Sequence, residues 1–210
     1  MITGTNQVIE PFQKSGIEDR IAEVDLLTDF DGTMIREESE YMEILAYFLR
    51  NPHHARFLKE VAKEYVDYKK TKEVAGFFSL FRGCPIEVLD SLVGKIHQNE
   101  EWNEAVEKLG TENIGVLSRN NERIISKYIE QLNLPYTKVI LAAANRPEIR
   151  EGVYTGGAQI IVNNQTLASC IGEKEYICGE EEKRIIERED MDCKKLKGRL
   201  YICKKRRRLF

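Results

Sequence analysis

The sequence has no apolar run near the roughly 18–20 residues that cross a bilayer. Its opening, MITGTNQVIEPFQKSG, lacks the basic-then-apolar pattern of a secretory signal. Neither sign of charge is in surplus: 32 Lys and Arg stand against 35 Asp and Glu, for a net charge of -3. That balance excludes bulk attraction to nucleic acid. With 14 Gly and 5 Pro in 210 residues, the chain is neither collagen-like nor of low complexity. The five cysteines (Cys84, Cys170, Cys178, Cys193, Cys203) are odd in number, irregularly spaced and without a C-x2-C pair. Neither a secreted disulfide framework nor a zinc site is expected from them; the reading is reduced thiols in a cytoplasmic protein. Oligomeric state is not legible at this level.

What is present is enough apolar residue to bury a core, 42% of the chain, within a 32% charged sequence. No internal repeat is visible. A loose arm and a short polar helix at Ile17–Ala22 lead into Val24, Leu26 and Leu27, a run that suits a strand buried on both faces. It stops at the loop Asp29-Phe30-Asp31-Gly32-Thr33. From about Glu37 to His97 apolar residues recur at helical spacing, with breaks at Asn51-Pro52 and Gly83-Cys84-Pro85, which predicts a small helical bundle inserted as a unit. The aromatic set Phe77, Phe78 and Phe81 reads as its core. A helix at Trp102–Leu109, a strand at Ile114–Leu117, a helix around Ile124–Leu132 and a strand at Val139–Ala142 follow. Glu148–Val162 alternates and contains Gly156-Gly157, the pattern of a hairpin. Glu173–Glu189 reads as one charged helix and Leu200–Cys203 as a last strand, running into Lys204-Lys205-Arg206-Arg207-Arg208. That terminal run reads as solvated. Strands alternating with helices predict a parallel α/β sheet in three layers, Rossmann-like, with its chemistry at the carboxyl ends of the strands. The implied domains are a discontinuous core, 1–36 and 99–210, and a helical cap, 37–98.

Asp29 and Asp31 follow the first strand, Ser118 follows the second, and Lys174 opens the helix after the hairpin. These residue types suit a phosphate monoester. A carboxylate can attack phosphorus and form an acyl-phosphate. A second carboxylate two residues on can protonate the leaving oxygen and then activate water. A hydroxyl and an ammonium can hold the phosphoryl oxygens. Gly32 lets the backbone turn tightly enough to aim N–H groups at the anion.

The DFDGT segment after a buried strand resembles the first motif of the haloacid dehalogenase superfamily of phosphatases, with Ser118 similar to its second motif and Lys174 to its third. The inserted helices resemble that family's cap. Glu38, nine residues after Asp29, and the segments SLFRGCPIEVLDSLVGKI and ANRPEIREGVYTGG resemble the phosphoserine phosphatase branch. The resemblance implies Asp29 as nucleophile and Mg2+ ligand, and Asp31 as acid/base and Mg2+ ligand through its carbonyl. It implies Gly32, Thr33, Ser118, Arg119, Lys174 and Glu38 as phosphate or substrate contacts. Mg2+ is the implied cofactor, because an oxygen-rich site with few protein ligands suits it. A small phosphorylated metabolite is the implied partner, with no membrane or nucleic acid. Dehalogenation fits less well, since Asp31 is an acid/base that C–halogen displacement does not use.

The departures define a second expectation. Arg119 and Asn120 follow Ser118 where the branch has small glycines, and Phe77 stands where an Arg gripping the substrate carboxylate is implied. The family's fourth motif supplies an acidic metal ligand after the next strand. If that strand is Leu200–Cys203, the acid is replaced by the basic run. The alternative is therefore a truncated or catalytically impaired relative that binds phosphorylated ligands without turnover, with Asp190 and Asp192 the nearest acids upstream.

Overall fold

Leu26, Leu27 and Thr28 are fully or almost fully buried and form the short strand β1 (Leu26–Thr28) at the centre of a seven-stranded sheet. The computed structural model describes residues 15–36, 46, 47, 49–51, 62, 63, 66, 70, 74–132, 134 and 136–206. Among these, α1 (Ser15–Ala22) precedes β1. Within the insert segment come α2 (Val74–Ser79) and α3 (Ile86–Asp90), and after it α4 (Glu100–Leu109), β2 (Asn113–Asn121), α5 (Glu122–Gln131), β3 (Lys138–Arg150) and β4 (Val153–Gln159). The chain continues through α6 (Leu167–Ile171), β5 (Glu175–Cys178), α7 (Glu180–Ile186), β6 (Met191–Lys197) and β7 (Leu200–Lys205).

The strand order is β4-β3-β2-β1-β5-β7-β6. β3, β2, β1 and β5 run parallel, while β4, β7 and β6 pair antiparallel. The expected α/β sheet is thus present, mainly parallel and edged by two hairpins. Strand residues alternate between two buried clusters. Leu26, Ile114, Val116 and Ile177 join α2–α5 on one face. Leu27, Leu117, Tyr176 and Cys178 join α1, α6 and α7 on the other. Because side chains alternate across a strand, these two clusters make the three layers.

Gly115 in β2 has the tightest surroundings of the central strands. A Cβ there would lie 2.9 Å from Leu27 Cδ2 and 3.0 Å from both Ala142 Cβ and Val24 Cγ2. Valine favours strands, but here space decides the sign. Gly115→Val is expected to destabilise by roughly 1–3 kcal/mol, read as a lower midpoint in urea unfolding at unchanged slope.

Several boundaries differ from the sequence reading. The first hairpin turns at Glu151-Gly152, both at positive φ (50° and 76°), not at Gly156-Gly157. Such left-handed pairs match the twist of two-residue hairpin loops. Residues 175–189 are not one helix: β5 comes first, and Gly179 separates it from α7. The thiols are not all reduced, since Cys193 and Cys203, directly opposite on β6 and β7, form a disulfide, whereas Cys84, Cys170 and Cys178 are free.

Of the expected cap, residues 74–98 are described together with a few scattered positions before them, and the rest lies outside the described residues. The chain on either side of it is described, and Ile35 bridges Gln98 in antiparallel fashion, with Arg36 N–H donating to the His97 carbonyl at 3.2 Å. Phe77, Phe78 and Phe81 pack edge to face on one another, and Phe78 and Phe81 belong to the cluster under the sheet. Residues 83–86 pair with Gly152–Tyr154, which shields the open edge of β4. Among the described residues, no helix is long and apolar enough to cross a membrane.

Candidate active site

The parallel strands β1, β2 and β5 deliver their carboxyl ends to one cleft. β1 ends at Asp29, whose N–H donates to the Ile177 carbonyl of β5 at 2.8 Å. The loop Phe30–Met34 then turns through Gly32 at φ 64°. Asn99, the N-cap of α4, fixes this loop from below: its side-chain amide donates to the Thr33 carbonyl at 2.8 Å, and its oxygen accepts from Glu101 N–H at 3.1 Å. Such capping satisfies an otherwise unpaired helix N–H.

Asp29 is 2% exposed. Its carboxylate accepts from the Thr33 hydroxyl at 3.3 Å, and from the Phe30 N–H and the Ser118 hydroxyl. Burial, and next the negative charge of Glu182, push its pKa well above the usual carboxylate range; the donors and the Arg119 guanidinium pull the other way without prevailing. Asp31 stands at the cleft with its carboxylate accepting from the Asn120 side-chain amide. Ser118 also accepts from Asn120 N–H at 3.3 Å. Arg119, only 12% exposed along its side chain, ion-pairs with Glu182, reaches Glu181 at 3.6 Å and donates to Asn164 Oδ1 at 2.7 Å. Buried Asn145 holds the backbone beneath: its amide donates to the carbonyls of Arg119 (2.6 Å) and Val162 (2.7 Å), and its oxygen accepts from the N–H groups of Ile161 and Val162.

Of the residues singled out from sequence, Asp29, Asp31, Gly32, Thr33, Ser118 and Arg119 share this cleft. Glu38 lies outside the described residues. Lys174 is a correction. It precedes β5 instead of opening a helix, and its ammonium donates to the carbonyls of Val24 and, at 3.5 Å, Ala22. Both carbonyls lie before β1, at the amino end of the sheet, away from Asp29. Lys174→Ala is therefore expected to leave any reaction at the cleft within about twofold of the parent, as a steady-state assay would show.

Three residues were missed: Glu182, Asn120 and Asn164. Glu182 is the informative one. It follows β5, the strand paired with β1, so an acid does stand after the next strand of the sheet. The signal was Tyr176-Ile177-Cys178-Gly179, a short apolar run closed by glycine inside a charged stretch. Asp190 and Asp192 are remote: both pair with Arg206, and the described part of the basic run is further matched by Glu175 and Glu173. These exposed pairs are screened by solvent and salt and contribute little to stability. Gly179 matters for the loop approach, since a Cβ there would stand 3.2 Å from the Gly32 carbonyl.

The implied Mg2+ was tested against these donors. Mg2+ requires octahedral oxygen ligands around a compact charge. Here the Asp31 carboxylate is engaged by Asn120, and Glu182, the acid that would complete the set beside Asp29 and the Asp31 carbonyl, is paired with Arg119. A guanidinium lies where a dication would have to approach the same carboxylates, and two cations repel at that range. Among the described residues, no three His, Cys, Asp or Glu side chains gather closely enough to hold a metal. The arrangement does not fit Mg2+.

No family model and no curated protein matches the chain. Solved structures do. Phosphoserine phosphatase in apo form is similar at 21% identity, over 78% of this chain and 70% of that one, with a TM-score of 0.47. A phospho-aspartyl intermediate analogue of phosphoserine phosphatase is similar at 23% identity, over 78% and 71%, with a TM-score of 0.47. A haloacid dehalogenase family hydrolase from Salmonella enterica serovar Typhi is similar at 17% identity, over 71% of this chain and 53% of that one, with a TM-score of 0.47.

Proposed function

We propose that the chain hydrolyses a small phosphate monoester through an aspartyl-phosphate on Asp29. The observation that carries this reading is the convergence of the Ser118 hydroxyl, the Thr33 hydroxyl and the Arg119 guanidinium on one buried carboxylate at a strand end. A carboxylate oxygen of Asp29 attacks phosphorus and the ester oxygen leaves, taking a proton from the Asp31 carboxylic acid. Water then attacks the same phosphorus, gives its proton to the Asp31 carboxylate, and the bond to Asp29 breaks to release phosphate. Ser118 and Arg119 hold the phosphoryl oxygens as charge develops. Mg2+ is implied by the resemblance of DFDGT to a phosphatase motif, with Asp29 and the Asp31 carbonyl as its ligands. The donor set described above does not suit it, and no step is assigned to it. Residues 37–98 serve in this reading as the cap that selects the alcohol part of the substrate.

Binding of phosphorylated ligands without turnover is the second reading. It is favoured by one observation: the Asp31 carboxylate is already engaged by Asn120. Hydrolysis of p-nitrophenyl phosphate by the purified chain, with Asp29→Asn as control, decides between the two. Turnover above the control supports hydrolysis; binding of phosphate with no turnover leaves the second reading.

A further inference from the structure

Arg119 stands beside Asp29 and is held on three sides: by Glu182, by Glu181 at 3.6 Å and by Asn164 at 2.7 Å. Its backbone is held too, through the Asn145 amide at 2.6 Å. A side chain 12% exposed and fixed in this way is no solvated surface charge. It supplies a delocalised positive charge to two acids, Asp29 and Glu182, that face one cleft from different strands. The planar guanidinium also offers paired N–H groups that match the oxygens of a phosphate. At present the two arms of that fork are taken separately, one by the Glu182 carboxylate and the other by Asn164 Oδ1 at 2.7 Å.

We propose that the Arg119 guanidinium acts as a built-in cation in place of a divalent metal, so that the cleft binds a phosphate group without metal and Glu182 competes with the phosphate for the guanidinium. This rests on the reading of the cleft as a phosphate site, but not on turnover. When phosphate enters, the fork passes from Glu182 and Asn164 to the phosphoryl oxygens, and Ser118 donates its hydroxyl to one of them. Glu182 then moves toward solvent or Asn164. No bond is made or broken in that exchange.

The test uses the full chain, freed of metal with a chelator, and two probes: inorganic phosphate by calorimetry and Mn2+ by electron paramagnetic resonance. Phosphate is expected to bind in the presence of chelator, with affinity changed less than about threefold by added Mg2+. Mn2+ is expected to keep the spectrum of the free ion. Arg119→Ala should weaken phosphate roughly tenfold or more, and Arg119→Lys, which keeps the charge but not the fork, should weaken it by an intermediate amount. Glu182→Gln should tighten it several-fold, a change that a misfolded variant would not produce. The proposal is overturned if phosphate binding appears only with Mg2+, if the parent takes up Mn2+ in a way that Asp29→Asn abolishes, or if Glu182→Gln weakens phosphate. Failure of turnover with chelator-resistant phosphate binding intact would remove the hydrolytic reading and leave this one standing. Mg2+-dependent turnover would do the reverse.

Discussion

Asp29→Asn is expected to lower turnover of p-nitrophenyl phosphate by about 10^3-fold or more while making the folded chain more stable at neutral pH. Both effects come from one buried carboxyl group. Asparagine keeps the size and can still accept from Thr33 and Ser118, but it cannot form an acyl-phosphate. Its stabilising effect follows from the sign of the pKa shift. Asp29 is held above its ordinary range, first by burial and then by Glu182. The folded state therefore binds the proton more tightly than the unfolded chain does, and stability falls as pH rises through the raised pKa. Below about pH 4, where the unfolded carboxyl is also protonated, parent and variant should melt together. At pH 7 to 8 the variant should melt at a higher temperature than the parent. Equal melting temperatures across that range would remove the electrostatic account. The nucleophile must be ionised, so kcat/KM of the parent should rise with pH over the window in which its stability declines. Under the proposed hydrolysis, the cleft trades stability for a reactive carboxylate.

That trade explains which parts of the molecule were legible beforehand. Asp29, Asp31, Gly32 and Thr33 are consecutive or nearly so, and a strand followed by an acidic glycine loop carries its geometry in the local sequence. Ser118 and Arg119 were found because the apolar run Ile114–Leu117 ends abruptly, as that of β1 does, although β2 itself runs on through both residues to Asn121. Glu182 was not found, although it follows the same rule. The stretch 175–189 contains so many Glu, Lys and Arg residues that helical charge pairing masked the four residues of β5. Pairing with β1 on one side and β7 on the other makes them a strand, and the contact with β1 spans some 150 residues of sequence. Lys174 failed for the same reason. Once β5 begins at Glu175, its predecessor must lie at the amino end of the sheet, opposite the cleft. The two edge hairpins were also beyond reach in part, since β6 (MDCKKLK) and β7 (LYICKK) both carry lysines and owe their pairing to each other and to β5.

The largest expected effect on stability belongs to Trp102, the one tryptophan of the chain. It is wholly buried in the cluster between α4 and the sheet, and its indole N–H donates to the Thr28 hydroxyl at 2.9 Å. Thr28 in turn donates to the Asp29 carbonyl at 3.1 Å. The indole thus fills the core and also fixes the residue before the nucleophile. Trp102→Ala is expected to cost about 3–5 kcal/mol, from lost burial and the cavity left behind. Trp102→Phe separates the two roles. It keeps most of the apolar volume but removes the donor, so the buried Thr28 hydroxyl loses a partner at a cost of about 1–2 kcal/mol. If the chain from Trp102 through Thr28 aims Asp29, the Phe variant should lower kcat several-fold at nearly unchanged KM, while a volume-reducing change elsewhere in the same cluster, Val106→Ala, should cost stability and spare kcat. Chemical unfolding and steady-state kinetics on the three variants would read both quantities. Equal kcat for the Trp102→Phe and Val106→Ala variants would show that the indole fills space alone, and that the Asp29 loop is positioned from the Thr33 and Asn99 side.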